Sequence, residues 1–303
     1  MSIGWVAGVT RARAMAARRA GPDTARALAD ASGPADCVRL LAATIYRRGL
    51  DGNAGRAVSD ALVWQLRVLA GWQPRAGATA VRLLASGFEI ANTRDRLLTL
   101  AGGSPPTPYR LGMLATAWPR LAQAASPAGI RAVLATSVWG DPGGETPAAV
   151  LTGMRLSAAV RTAGYVPPAE RWAAGEAALL VAREVHLTGH RLTERAARDA
   201  ARLLGTAAVQ APAFGDFRAR LAPPARWALE GVGRPEDLWR AEARWWPEVE
   251  RDALTLLSRA RFDMSPVVGA AAVLGVDAWR VRAGLECAAH DGRAREAFDE
   301  LLG

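Results

Sequence analysis

Apolar residues recur along most of the chain at the three- and four-residue spacing of an amphipathic α-helix. One run is formed by Leu62, Val63, Leu66 and Leu69, and a second lies within residues 83–98. Side chains three and four positions apart share one face of a helix, so each run predicts a helix that buries this face. We find no sustained alternation of period two, the pattern of a half-buried strand. We therefore predict an all-α protein of roughly 14 to 18 helices, from a mean helix length of about 11 residues.

Polar and proline-containing clusters mark where these helices should begin and end. Helix starts are predicted at residues 22–24, at Ser59 and Asp60, and at residues 235–237, because such residues favour the first turn of a helix. Glycine and proline clusters predict breaks at residues 102–106, 141–144, 167–168, 215–216 and 223–224.

Three segments of the chain share a pattern of small and apolar helical residues that leads to an acidic residue. The acids are Glu89, Glu184 and Asp277, which are 95 and 93 residues apart. Upstream of the first acid, the sequence of residues 37–46 is similar to that of residues 129–139 upstream of the second acid. Residues 238–246 lie at the corresponding position upstream of the third acid.

The spacing of these segments predicts three helical units of similar length. Their ranges are 1–104, 105–208 and 209–303. Units this long exceed the usual solenoid period of about 20–45 residues, so we expect three similar bundles around a pseudo-threefold axis, with a funnel-like concavity.

The composition excludes several classes of enzyme. The chain has 303 residues, of which 50% are hydrophobic, and all 38 basic residues are arginine. Without lysine it has no P-loop, no Schiff base to pyridoxal phosphate and no protein-kinase β3 lysine. A G-x-S-x-G serine-hydrolase motif is also absent. The two cysteines, Cys37 and Cys287, lie among apolar residues and predict buried thiols in a reducing compartment.

No membrane-spanning or secretory segment is expected. The first six residues place apolar residues before the arginines, the reverse of a signal peptide. No charge-free stretch exceeds 13 residues, the length of segment 264–276, whereas a span needs about 20 apolar residues. We therefore expect any membrane link to be made through a partner.

The sequence contains features of two binding functions, nucleic-acid binding and zinc binding. The net charge of +9 and the tryptophans and arginines of residues 239–246 resemble a nucleic-acid surface, but the arginines are spread along the chain, so we expect no nucleic-acid partner. His186 and His190 have the spacing of a zinc motif, yet Leu187 stands where H-E-x-x-H has its glutamate. We therefore expect no metal site.

Four stretches, taken in order, resemble the C/d subunit of V-type and A-type rotary ATPases. Residues 10–15 resemble its opening A-R-V-R-A-M helix, and residues 40–50 its L-x-x-T-x-Y-x-x-x-L segment. Residues 88–94 resemble its D/E-x-x-N-x-K/R motif, and residues 266–280 its closing helix. The chain departs from the family where Ala270, Leu274 and Trp279 replace the usual residues of that closing helix, and where the middle unit lacks the expected asparagine.

The resemblance implies a funnel of three helical bundles with no catalytic activity, cofactor or metal. It implies a cytoplasmic protein, peripheral to the membrane, that connects the central shaft of a rotary ATPase to the proteolipid ring, without inserting into the membrane itself. The alternative is a generic helical scaffold, and a basic nucleic-acid-binding protein is less favoured. The candidate partner-interface residues are Arg94, Arg96, Arg280 and Arg282.

The repeat motif suggests a second set of positions, with a structural role. These residues are Glu89, Asn92, Glu184 and Asp277. We expect Glu89 and Asp277 to pair with neighbouring arginines inside a bundle, rather than to act as acids or bases.

Overall fold

The computed structural model of the chain describes residues 3–50 and 52–289, most of which are helical. These residues form sixteen α-helices and no β-strand, so the predicted all-α class is confirmed. The helices are α1 (Ile3–Ala16), α2 (Pro22–Ala29), α3 (Pro34–Ala42), α4 (Ala54–Gly71), α5 (Arg75–Leu84), α6 (Ser86–Leu100), α7 (Trp118–Leu121), α8 (Pro127–Ala135), α9 (Pro147–Tyr165), α10 (Glu170–Val181), α11 (Glu194–Leu204), α12 (Thr206–Val209), α13 (Phe214–Ala219), α14 (Pro223–Arg226), α15 (Leu238–Ser258) and α16 (Met264–Ala289).

Short polar side chains fix several of the helix starts. Asn53, Ser126, Thr146 and Thr193 each accept a hydrogen bond from a backbone N–H in the first turn of α4, α8, α9 and α11, which satisfies a group that the helix leaves unpaired. The start predicted at Ser59 is wrong, because the Asn53 cap begins α4 at Ala54 instead.

Most of the predicted breaks fall between helices. Residues 102–106 follow α6, and residues 141–144 separate α8 from α9. The break predicted at residues 215–216 is wrong, since these residues lie inside α13. Residues 182–187 continue α10 as a π-helical turn, Ala182–Leu187, which the spacing of apolar residues did not predict.

The described residues of the first of two compact units come from the ranges Met1–Val81 and Trp246–Gly303. Its central helix is α16, which packs against α1, α2 and α4. One hydrophobic cluster contains fully buried residues from four helices and from the turn after α3, namely Leu28, Leu41, Tyr46, Val58 and Val281. Sequence-distant helices are thus held together by a shared core.

The second unit, Arg82–Trp245, is built around α9 and α10. Its larger hydrophobic cluster includes Leu156, Leu204 and Phe217, and a second cluster includes Ile130 and Met154. The alanine-rich surface of α10 lets neighbouring helices come close: a Cβ on Gly175 would lie 2.6 Å from the indole of Trp227.

The predicted three-way division does not coincide with these two units. Residues 105–208 lie wholly in the second unit, whereas 1–104 and 209–303 are each divided between the two. The pseudo-threefold arrangement therefore stays a prediction.

By its length and composition, helix α16 could span a membrane. The lengths of the charge-free stretches had predicted no such segment. However, 78% of its most apolar window is buried against other helices, as in the core helix of a globular unit.

Candidate functional site

The carboxylate of Asp277 joins α16 to two other segments of the first unit. Its Oδ1 accepts a hydrogen bond from the backbone N–H of Gly21 at 2.7 Å, and its Oδ2 accepts one from that of Ala20 at 2.9 Å. The Oδ2 atom also accepts the hydroxyl of Tyr46 at 2.7 Å. Because Gly21 is the N-cap residue of α2, the carboxylate supplies acceptors at the start of that helix.

Glu89 on α6 makes the same set of contacts in the second unit. Its Oε2 accepts the backbone N–H of Thr116 at 2.5 Å, and its Oε1 accepts that of Ala117 at 2.6 Å. The indole Nε1 of Trp139 donates to Oε1 at 3.1 Å. Ala117 is the N-cap residue of α7, so this carboxylate also serves the start of a helix.

The segments around these two carboxylates correspond to each other. Helices α3 and α8 each contain nine residues and begin with proline. After each helix, a hydroxyl, of Thr44 or Ser137, accepts the backbone N–H of Tyr46 or Trp139 at 3.1 Å. These are the segments 37–46 and 129–139 that the sequence paired. We call the two arrangements the Asp277 clamp and the Glu89 clamp.

Both clamps exclude water. Asp277 and Glu89 are each 1% exposed. Burial and the charge of Asp277 raise the pKa of Tyr46 well above its usual value, so the hydroxyl keeps its proton and donates. A buried carboxylate with three donors is a rigid joint, because any displacement leaves a charged group without its hydrogen bonds.

These partners correct one expectation about Glu89 and Asp277. Both acids were expected to pair with arginines, but the hydrogen-bond donors to their carboxylates are backbone amides, a phenol and an indole. Glu89 also attracts the guanidinium of Arg161, which lies 5.6 Å from the ring of Trp139. Backbone and aromatic donors at helix starts are set by tertiary packing, which the local spacing of charges does not reveal.

The third repeat acid, Glu184, has a different environment. It lies in the π-helical turn, and its Oε2 is 3.0 Å from Nδ1 of the exposed His190. Glu89 and Asp277 thus have similar hydrogen-bonded surroundings, whereas Glu184 contacts an exposed residue six positions away.

Asn92 joins α6 to the segment that follows it through two hydrogen bonds to the backbone of Tyr109. Its Nδ2 donates to the carbonyl of Tyr109 at 3.0 Å, and its Oδ1 accepts the backbone N–H of the same residue at 2.7 Å. Its side chain is fully buried on α6, one turn beyond Glu89. It therefore anchors the extended segment that leads to the Glu89 clamp.

The four candidate interface arginines divide into exposed and internal residues. Arg94 is exposed and pairs with Asp95 at 2.8 Å, and Arg282 is exposed on α16. Arg96 is partly buried, and its Nη2 donates to the carbonyl of Ala124 at 2.7 Å.

Arg280 is the one of these four that the structure removes from a partner interface. It is 7% exposed, and its two terminal nitrogens donate to Glu250 at 3.0 and 2.6 Å. Its fork geometry matches a carboxylate within the same unit, so the expectation that it faces a partner is corrected.

The two histidines with zinc-motif spacing do not face a common site. The ring of His186 packs against Phe214 and Phe217, with ring centroids 5.8 and 5.0 Å apart, and burial lowers its pKa. His190 contacts Glu184 instead. Across residues 3–50 and 52–289, no group of three or more metal-ligating side chains lies close together.

Comparison with known proteins gives no assignment, since no family model matches the chain and no curated protein matches it.

Proposed function

We propose that this chain is a non-catalytic coupling subunit of a V-type or A-type rotary ATPase, which connects the central shaft to the membrane proteolipid ring. The observation that carries the proposal is the recurrence of one buried joint, the Asp277 clamp and the Glu89 clamp, on segments whose sequences also correspond. Repetition of a helical unit is what the resemblance to the C/d subunit implies.

A subunit that passes torque must resist deformation, and the clamps supply a physical basis for this. Each one ties the start of a helix and an aromatic side chain to a buried carboxylate. Hydrogen bonds to charged groups contribute about 1.5–3 kcal/mol each, more than neutral ones. A load applied to one helix is therefore passed to its neighbours rather than absorbed by a loop.

The exposed arginines supply candidate contacts for the partners. In this proposal Arg94 and Arg282 face the shaft or the ring, since a guanidinium pairs with a carboxylate through two parallel hydrogen bonds. Arg96 and Arg280 stabilise the subunit from within, because their donors are directed at Ala124 and Glu250.

Affinity purification from native membranes in a mild detergent tests the proposal. The tagged chain should recover shaft subunits and the proteolipid ring, identified by mass spectrometry. Recovery should decrease for Arg94→Gln with Arg282→Gln, and should be unchanged for Arg198→Gln, which replaces an exposed arginine on α11 outside the repeat motifs.

Two results would count against this function. One is recovery of the wild-type chain as a free monomer, which would favour the helical scaffold. The other is an equal loss of partners for the Arg198→Gln control, which would show that the partners respond to overall charge rather than to these positions.

A further inference from the structure

The first unit exposes two tryptophans on one helix, each with an arginine over its ring. Trp64 of α4 is 45% exposed, and Trp72, the C-cap residue of the same helix, is 52% exposed. The guanidinium of Arg48 lies 5.1 Å from the ring of Trp64, and that of Arg11 lies 5.6 Å from the ring of Trp72. Eight helical residues separate the rings by about 12 Å along the axis and about 80° around it, so both belong to one side of α4. We call these four residues the Arg–Trp face.

The charge around this face is positive and is poorly balanced. Residues 1–81, which include all four residues of this face, contain eleven arginines and five aspartates. Asp60, one turn before Trp64 on α4, pairs with Arg56. Asp23 and Asp36 form ion pairs with arginines on their own helices. Within the described part of the chain, no acidic side chain pairs with Arg11 or Arg48, or with the exposed Arg47, Arg18 and Arg75. Such a surface attracts an anionic partner.

We propose that the Arg–Trp face binds the headgroup layer of an anionic lipid bilayer directly. Tryptophan is enriched at membrane interfaces because its ring is apolar while its N–H reaches a polar group. Arginine meets phosphate with paired hydrogen bonds, and basic residues close to an anionic leaflet each strengthen binding by about fivefold. The face combines both groups: the tryptophans lie on α4 and at its C-cap, Arg11 lies on α1, and Arg48 lies in the segment that precedes α4.

The geometry favours lipid over single-stranded nucleic acid, the other anionic partner that binds exposed aromatic rings. Bases bind by stacking on the open face of a ring. Here Arg48 and Arg11 already lie over the rings of Trp64 and Trp72, so a base would have to displace a guanidinium. A headgroup layer can accept each arginine and its ring together. Direct lipid contact differs from the expectation that any membrane link is made through a partner protein.

Vesicle sedimentation with the isolated full chain tests this inference without any ATPase subunit. Wild-type protein should bind phosphatidylglycerol-containing vesicles at least about tenfold more tightly than vesicles of phosphatidylcholine alone, with weaker binding as salt is raised. The variant Trp64→Ala with Trp72→Ala should lose about tenfold or more of that affinity. Arg47→Gln with Arg48→Gln should lose a similar amount and should also flatten the salt dependence.

The chain offers a matched control in its second unit. Trp239 is 45% exposed, and Arg240 lies 5.1 Å from its ring, the same exposure and distance as for the Trp64 pair. Trp239→Ala with Arg240→Gln should leave vesicle binding within about twofold of wild type. Circular dichroism and thermal melting of each variant separate lost binding from lost folding.

Three results would overturn the inference. The first is that the wild type binds both kinds of vesicle equally or binds neither. The second is that the Trp239 control loses as much vesicle binding as the Trp64 and Trp72 variant. The third is that the wild type binds a single-stranded oligonucleotide but no vesicles, and that the Trp64 and Trp72 variant loses this oligonucleotide binding. Because the assay uses the isolated chain, none of these results bears on whether the chain copurifies with a motor.

Discussion

At the scale of single residues, the two clamp carboxylates show how a buried charge is retained in a helical core. Asp277 and Glu89 are each 1% exposed, and the groups that donate hydrogen bonds to them are neutral. The guanidinium of Arg161 adds an electrostatic attraction to Glu89. Two backbone amides at each helix start supply partial positive charge, and an aromatic N–H or O–H completes the set.

Removing a clamp carboxylate should destabilise the unit that contains it. Glu89→Ala leaves the backbone amides of Thr116 and Ala117 and the indole of Trp139 without their acceptor, so we expect a loss of about 3–5 kcal/mol. Asp277→Ala should have a similar effect. Urea unfolding followed by circular dichroism measures both.

The control for these substitutions is an acid that is paired on the surface. Asp23→Ala removes a side chain that is 96% exposed, and should change stability by no more than about 0.5 kcal/mol. If Glu89→Ala proves as mild as Asp23→Ala, the clamps are not structural joints.

Tyr46 gives the Asp277 clamp a dependence on alkaline pH. Its raised pKa means that the folded chain holds the phenolic proton more tightly than the unfolded chain does. This stabilisation is complete below the ordinary tyrosine pKa, about 10, and is lost as the pH rises above it. Tyr46→Phe should be less stable at neutral pH by about 1–3 kcal/mol, because Asp277 loses a donor.

The measurement is unfolding by urea from neutral pH to about pH 11. The wild type should lose stability above about pH 10, and this decline should be smaller in Tyr46→Phe. Parallel curves for the two proteins would show that Tyr46 does not ionise on unfolding as this account requires.

At the scale of helices, α16 is the element around which the first unit packs. It packs against α1, α2 and α4 and carries Asp277. Its contact with α2 is close enough to need glycine, because a Cβ on Gly284 would lie 2.5 Å from the carbonyl oxygen of Ala25. A backbone atom cannot move aside as a flexible side chain can.

Two glycines of α16 should therefore respond in opposite ways to alanine. Gly284→Ala should cost about 1–3 kcal/mol, because α2 must shift. Gly275→Ala, where a Cβ would meet nothing within 4 Å, should stabilise the helix by about 0.5–1 kcal/mol. Thermal melting of the two variants measures the difference, and a stabilised Gly284→Ala protein would contradict the close packing described here.

The helical class of the elements was predictable from the sequence, but several helix boundaries and side-chain environments were not. The spacing of apolar residues was sufficient for the all-α class. The π-helical turn at Ala182–Leu187 was not predictable, because an alanine-rich segment fits either helix type. That turn changes the faces of later residues, which places Glu184 beside His190 rather than at a helix start.

Arg280 shows a second limit of local reasoning. Because it follows the repeat acid Asp277 by three residues, we expected it to face a partner. Its guanidinium instead pairs with Glu250, 30 positions earlier on α15. Pairing across such a distance depends on how helices pack. Likewise, Tyr46 and Trp139 were aligned by the repeat, but their role as donors became evident only with the carboxylates in place.

At the scale of the whole molecule, the proposed function rests on repetition rather than on reactive groups. Two clamps of the same design fix helix starts in two units, and the order of motifs along the chain resembles a subunit that passes torque. A coupling subunit predicts a specific defect when it is missing: the ATP-driven head still hydrolyses ATP, but the rotation no longer reaches the ring.

The most direct test is therefore a comparison of ATP hydrolysis with ion pumping in membrane vesicles from cells with and without this chain. We expect deletion to abolish ATP-driven ion pumping while the head retains ATP hydrolysis, and we expect the purified chain to restore pumping when it is added back. Pumping that is unchanged by the deletion would contradict the coupling function.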